Sequence, residues 1–434
     1  MNLQPLLRSL AHRNYRLYFI GQGISLVGTW MQQIAMSWLV FQLTQSSLQL
    51  SIVLFAGQIP ALFLAPVGGV LVDRWNRHRV LLVTQSLAMV QAFLLALLTW
   101  TGHIDVWQLI LLSLFLGVVN TFDMTTRQAF LSELVTHRTD LANAIALNSS
   151  LVNGARLVGP TLAGIILAQT SADVCFLLNG LSYLAVLLAL LAMRLKETRR
   201  ERPTVSLWQG LREGFVYVSG FAPIRTLLLL LGLSSMAGTS YTVLLPEFTV
   251  RRLGGDARML AFLTAASGLG ALTGALLLAS RKSVLGLGRW ILQALMLLGV
   301  GLLAFAFVAD FKLALLVLFA IGLGMMIEMA ASNTLLQTIA AEDKRGRVMS
   351  FYTLAFLGMA PLGSLLTGVL SAALSPSTTL LINGLFCLTG AVFFALNLPR
   401  LRALVRPIYA RLEILPPITN GIAAASDLEN AMKE

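Results

Sequence analysis

Charge is what this sequence has least of. Only 12% of its 434 residues are Asp, Glu, Lys or Arg, about half the ~25% of a soluble globular chain, so little is left to solvate an exterior. Cysteine and histidine are scarce too. Cys175 and Cys387 both fall inside apolar runs, and His12, His78, His103 and His137 lie in separate segments without ligand spacing. That excludes a disulfide scaffold and leaves no candidate metal site. No nucleophile–base constellation and no phosphate loop appears, so nothing in the sequence points to an enzyme or to a bound cofactor. What is abundant is apolar: AVILMFWYC residues make up 57%, glycine adds 35 residues, and the mean hydropathy is +0.80. No soluble core needs so much apolar surface. The chain reads as an integral membrane protein whose first partner is the lipid bilayer.

A helix needs ~20 apolar residues to cross a bilayer core. Such runs occur at 17–40, 48–72, 80–100, 106–131, 143–168 and 173–193. After a polar stretch, six more follow at 224–250, 259–280, 288–309, 312–339, 348–373 and 377–398. The expected fold is therefore all-α, with twelve transmembrane helices in two pseudo-symmetric bundles of six. Its expected divisions are 1–194, a cytoplasmic linker with an amphipathic helix at 195–223, 224–399, and a loosely ordered cytoplasmic tail at 400–434. The first run is longer than the core of a cleavable signal and lacks a small-residue site after it, so it is expected to stay as a span.

The net charge of +12 is a topology signal. The 31 Lys and Arg cluster in short breaks between runs, and all but Arg251, Arg252, Arg258, Lys312 and the intramembrane Arg156 fall on the side of the termini. By the positive-inside rule both termini are cytoplasmic. No basic stripe suited to nucleic acid appears.

The two halves repeat each other. Gly117 and Asp123-Met124 recur 205 residues on as Gly322 and Glu328-Met329, and Gly69-Val70-Leu71 recurs as Gly274-Ala275-Leu276 at the same offset. Leu178-Asn179-Gly180-Leu181 returns as Ile382-Asn383-Gly384-Leu385 at 204, and Pro160 matches Pro361 at 201. Six spans repeated in parallel imply two halves that rock about a site near mid-membrane.

Specific motifs narrow the class. Gly69-x-Leu71-x-Asp73-Arg74-x-x-Arg77-x-Arg79, between spans two and three, resembles the signature of the major facilitator superfamily. Ala155-x-x-x-Gly159-Pro160-x-x-Ala163-Gly164 resembles the span-five signature of its antiporters, with Ala where glycine is commoner at two places. Trp30-Met31-Gln32, Arg127-Gln128-Ala129-Phe130, Asn143-Ala144-Ile145-Ala146-Leu147-Asn148-Ser149 and Arg345-Gly346-Arg347-Val348 are similar to the enterobactin-exporter and multidrug-efflux branch. The resemblance implies proton-coupled efflux of a small amphipathic molecule, a siderophore or a hydrophobic drug. It further implies alternating access in a bacterial inner membrane, by a monomer driven by the proton gradient. An importer, a lipid-moving relative and a non-transporting sensor are the alternatives. In this reading Gly69, Asp73, Arg74, Arg77 and Arg79 form a conformational gate, the arginines pairing across the cytoplasmic face. Gly159, Pro160 and Gly164 make a kinked, thin contact between halves. The second copy of the gate lacks the acid, with Leu278 in the place of Asp73.

Ionisable groups inside spans are costly and mark function. Asp123 and Arg127 stand i, i+4 in span four, Arg156 lies near the middle of span five, and Glu328 lies in span ten. Asp123 is either a structural partner of Arg127 or a coupling acid. Glu328 has Ser332 where the partner arginine would be, so it is the stronger proton carrier; its rival role is a hydrogen-bonded core acid. Glu247, after Pro246, is a second coupling candidate or an entrance residue. Gln22, Thr29 and Gln33 share a face of span one, Ser234, Gly238 and Tyr241 share one of span seven, and Asn120 precedes Asp123 by almost a turn. Since the first and seventh spans line the cavity in the resembled family, these residues are the expected cargo contacts; polar helix–helix contacts are the competing reading.

Overall fold

Backbone polar groups in hydrocarbon must be satisfied within the chain, and a helix does this segment by segment. The computed structural model describes residues 4–135, 138–194, 207–281, 283–412 and 414, and among these no strand occurs. Among these residues twelve helical spans are long and apolar enough to cross a membrane. The first six are α1 (Arg13–Thr44), α2 (Ser47–Arg74), α3 (Arg77–Trp100), α4 (Val106–Leu134), α5 (Arg138–Leu167) and α6 (Ala172–Leu191). A short amphipathic helix, α7 (Leu207–Gly220), links them to the second six. There, α8 (Ala222–Gly238) and α9 (Tyr241–Arg251) form one broken span, followed by α10 (Ala257–Ala279), α11 (Leu287–Phe305) and α12 (Phe311–Ile339). The eleventh span is α13 (Arg345–Thr353), a π turn (Leu354–Gly358) and α14 (Met359–Ala373), and α15 (Pro376–Arg411) is the last.

The scarce acids are spent partly on helix starts. Asp105, Asp256 and Asp310 precede α4, α10 and α12 at the end of the bundle opposite the termini. Asp256 and Asp310 accept hydrogen bonds from the backbone N–H groups of Met259 (3.0 Å) and Leu313 (2.9 Å), and Gln108 completes a capping box with Asp105. Each satisfies first-turn donors and complements the helix dipole.

The sequence repeat is a packing repeat. A Cβ on Gly117 would collide with the Gly57 carbonyl, and one on Gly322 with the Ser267 carbonyl, so α4 crosses α2 as α12 crosses α10, backbone against backbone. Small residues at such crossings allow the approach that replaces hydrophobic driving force in lipid. The second half is built on one continuous apolar core that includes Leu298, Phe305, Ile321 and Phe394. The first half holds two cores, and the one around Leu39, Leu95 and Phe176 also takes in Val243 and Ala261 from the second half.

Two boundaries differ from the sequence expectation. The last helix does not stop at 398 but continues through Pro399 and Pro407 to Arg411, so the first part of the expected tail is helical. The linker helix is docked rather than merely solvated. Glu213 pairs with Arg347 and lies 3.6 Å from Lys344, Phe351 covers Gly214, and the Tyr217 hydroxyl accepts from the Ala341 N–H at 3.1 Å. Along this helix Val218 is buried and Phe215 is exposed, while the side chains of Leu207 and Leu211 lie outside the described residues.

The hydrogen bond and charge of Arg347 hold the Glu213 carboxyl below the usual carboxylate range. A lowered folded-state pKa contributes docking strength that is present above the ordinary carboxylate pKa and is lost as pH falls through the depressed one. Hydrogen exchange over residues 207–220 should therefore stay slow at neutral pH and rise only in acid below that range. Glu213→Gln should show the fast exchange at every pH; identical profiles would refute the docking role.

Candidate functional site

Asp123 and Arg127 occupy one face of α4 and form the i, i+4 ion pair that their spacing allows. The buried carboxylate of Asp123 also accepts from Thr84 (3.0 Å) and Gln85 (2.7 Å) of α3. It is saturated by one cation and two neutral donors.

Glu328 holds the symmetry-related place on α12 but has different surroundings. It is 1% exposed. Its Oε2 accepts from Ser234 Oγ of α8 at 3.0 Å, and Ser332 Oγ stands 3.5 Å from Oε1. Among the described residues no cation pairs with it. Beyond its own helix, Asp123 is held by α3 and Glu328 by α8, so the repeat conserves the acids but not their settings. Ser234, expected as a cavity residue, is thus the hydrogen-bond donor to the buried acid.

Glu247 lies at the opposite end from the termini and ties the halves together. Its carboxylate accepts from Ser47 Oγ of α2 and pairs with Arg251 at 2.8 Å, while Arg251 also donates to the Gln45 carbonyl at 3.0 Å. Both links run from the second half to the first.

Arg156 reaches the seam between the halves. Its guanidinium lies over the Trp30 ring of α1, 5.6 Å from the centroid, and within electrostatic range of the Tyr241 hydroxyl of α9. Tyr241 itself shares a 2.6 Å hydrogen bond with Ser267 of α10. Among the described residues no carboxylate forms an ion pair with Arg156. Gln22 is buried in α1, and Thr29 bonds back to the Ser25 carbonyl of its own helix at 2.9 Å. Gln33 and Asn120 are exposed.

The gate motif is only partly visible. Gly69, Asp73 and Arg74 sit on the last turns of α2, but their side chains lie outside the described residues. The contacts described for Arg77 lie within the first half. Arg77 donates to the Ala129 carbonyl and the Glu133 carboxylate of α4, each at 2.9 Å, because the end of α4 lies alongside the start of α3. Arg79 is exposed. In α5 the antiporter motif divides its work. A Cβ on Gly159 would overlap Trp30 of α1 in its own half, whereas one on Gly164 would overlap Ala261 of α10 in the other. Pro160 lies inside the continuous helix between them.

Sequence reasoning missed a buried amide chain. Gln32 donates to Gln91 at 3.1 Å and accepts from Asn179 at 2.7 Å, tying α1, α3 and α6. Its faint signal was the repeated Asn-Gly pair, although Asn383 donates to Thr367 of the adjacent α14 at 3.1 Å, so the repeat keeps the amide but not its partner.

Two six-span halves, joined far from the termini and holding ionisable groups at mid-depth, define a transporter of the major facilitator type. The chain belongs to the transmembrane secretion effector family of that superfamily, which it matches over residues 5–411. It is 25% identical over 385 residues to the staphyloferrin A transporter of Staphylococcus aureus, covering 88% of this chain and 96% of that one. It is 28% identical to the multidrug efflux pump Tap of Mycolicibacterium fortuitum, covering 88% and 93%. It is also 28% identical to the enterobactin exporter EntS of Escherichia coli, covering 93% and 97%. Among solved structures it resembles a bacterial homologue of the human lysosomal transporter Spinster in an inward-facing, unoccupied conformation. The TM-score is 0.70 at 15% identity, over 91% of this chain and 98% of that one.

The α5–α10 contact generates a test. Overpacking a tight contact costs about 1–3 kcal/mol, here only in the state that closes it, which is roughly a tenfold or larger shift of population. Gly164→Leu should therefore cut disulfide cross-linking between cysteines placed at the far ends of α5 and α10 by about that factor, with little loss of folded protein. Unchanged cross-linking would show that the contact does not gate closure.

Proposed function

We propose that this chain exports small amphipathic molecules from the cytoplasm across a bacterial inner membrane, by alternating access and in exchange for protons. It acts as a monomer with both termini inside. The observation that carries this reading is Glu328, an acid enclosed by two serines with no cation beside it among the described residues, in contrast to its saturated counterpart in the other half, Asp123. An acid locked to an arginine stays charged; an acid held by hydroxyls exchanges a proton at tolerable cost. With the far-end contacts closed, the protein is in its inward-facing state. Cargo enters from the cytoplasm; protonation of Glu328 from outside and its release inside drive the cycle.

Arg156 sets the cargo's charge. A mid-membrane cation stacked on Trp30 and free of an acid partner among the described residues favours an anionic, aromatic or carboxylate-bearing molecule over a cationic drug. This agrees with the siderophore relatives more than with the multidrug one.

The test uses inside-out vesicles with an acid interior. A catecholate or carboxylate siderophore should collapse the pH gradient, and Glu328→Gln, folded and inserted, should abolish that collapse; undiminished export would overturn the coupling role. Arg156→Gln should raise the apparent KM for the anionic cargo. A hydrogen bond to a charged group is worth about 1.5–3 kcal/mol, so the rise should be roughly tenfold to a hundredfold. A neutral dye should be unaffected. An equal loss for both would reduce Arg156 to a structural residue.

A further inference from the structure

A cavity toward the end of the second half that carries the C-terminal helix lies outside the transport seam. It has a volume of about 490 Å³ and lies wholly within the second half, between the start of α8, the turn before α11, the end of α12 and the last turns of α15. Its depth is apolar: Leu227, Leu335, Phe394 and Leu398, all buried, form the walls. Its mouth is basic, with Arg289, Arg402 and Arg406, and Tyr409 beside them.

Three observations specify an occupant. First, about 20 residues of α15 cross the hydrocarbon from Pro376, so Phe394 and Leu398 stand at its inner edge, and Arg402 and Arg406 stand one to two turns further, at headgroup depth. Second, the three arginines are exposed, and among the described residues none forms an ion pair with a carboxylate. The contrast within the molecule is direct, since Arg77 at the same end of the first half is held by Glu133. Third, Arg289 sits in the first turn of α11, where a cation opposes the helix dipole, and that turn contains no acid. Three uncompensated cations around one opening repel each other unless an anion lies between them. An apolar pocket of this size below an anionic headgroup site is matched by a lipid that brings both parts.

We propose that this cavity is a binding site for one anionic phospholipid of the leaflet on the side of the termini, its headgroup on Arg289, Arg402 and Arg406 and an acyl chain against Leu398 and Phe394. The lipid fills the space between α8, α12 and α15, so it sits behind the helices that carry Ser234 and Glu328 rather than in the cargo path.

Native mass spectrometry of the full chain, released from vesicles of phosphatidylglycerol and phosphatidylcholine with matched acyl chains, tests this. One phosphatidylglycerol should be retained per protein in preference to phosphatidylcholine, and Arg402→Gln with Arg406→Gln should weaken retention roughly tenfold or more. Leu398→Trp, which fills the pocket and leaves every charge in place, should weaken it as well. Equal retention of both lipids, or full retention by the double variant, would overturn the proposal. So would full retention by Leu398→Trp, since binding would then be a surface attraction without a seated chain. Retention restored in the double variant by deleting residues 415–434 would also overturn it, by showing the chain's own tail to be the occupant. An unchanged helical spectrum and melting profile identifies variants that report on binding rather than on folding.

Discussion

A charge without a partner in hydrocarbon is the state this molecule is built to avoid. Water cannot rescue a bare carboxylate or a free N–H at mid-membrane, and the placement of its few acids follows from that. Some sit at helix starts, where Asp256 and Asp310 cap backbone donors. Asp123 lies inside but is closed by Arg127, Thr84 and Gln85. Glu328 is the exception, held only by hydroxyls. The two acids thus differ in their partners rather than in their depth.

The halves are also unequal in their backbones. Each span of the first half is a single helix, whereas the second half breaks its seventh span at Thr239-Ser240 and carries a π turn at Leu354–Gly358 in its eleventh. These irregularities touch. The Ser235 hydroxyl donates to the Phe356 carbonyl within the π turn, and Ser234, next to it, donates to Glu328. Gly358, at the end of the turn, faces Leu62 of the first half. A change at Glu328 therefore acts on the segment whose hydrogen bonds are the least regular, where a local adjustment of the ladder is cheapest.

Much of this was readable from residue order, for a physical reason. Span count depends on hydrophobic length, and the Asp123–Arg127 pair on i, i+4 spacing, both local properties of one helix. The repeat at 205 residues marked Gly117 and Gly322 before their shared crossing geometry was seen. What escaped were pairings between helices. Ser234 and Glu328 are 94 residues apart, Gln32 and Asn179 are 147, and Ser47 and Glu247 are 200. Periodicity shows which face of a helix is polar but not which neighbour meets it, so Ser234 read as a cavity residue and Glu247 as a coupling acid or an entrance residue. The end of α15 escaped for another reason: Pro399 reads as a stop, yet the helix continues through it.

The clasp at the far end has a kinetic consequence. In the proposed alternating-access cycle, parting of the halves there takes the Ser47 hydroxyl from Glu247 and the Gln45 carbonyl from Arg251 but leaves the acid and the arginine paired, since both belong to one helix. Separation thus forfeits two hydrogen bonds to charged groups, each worth about 1.5–3 kcal/mol, and never strands an ion. A latch of two such bonds would slow opening by roughly two to four powers of ten. The arginine next to the acid limits that cost to hydrogen bonds and spares the far larger cost of a bare charge.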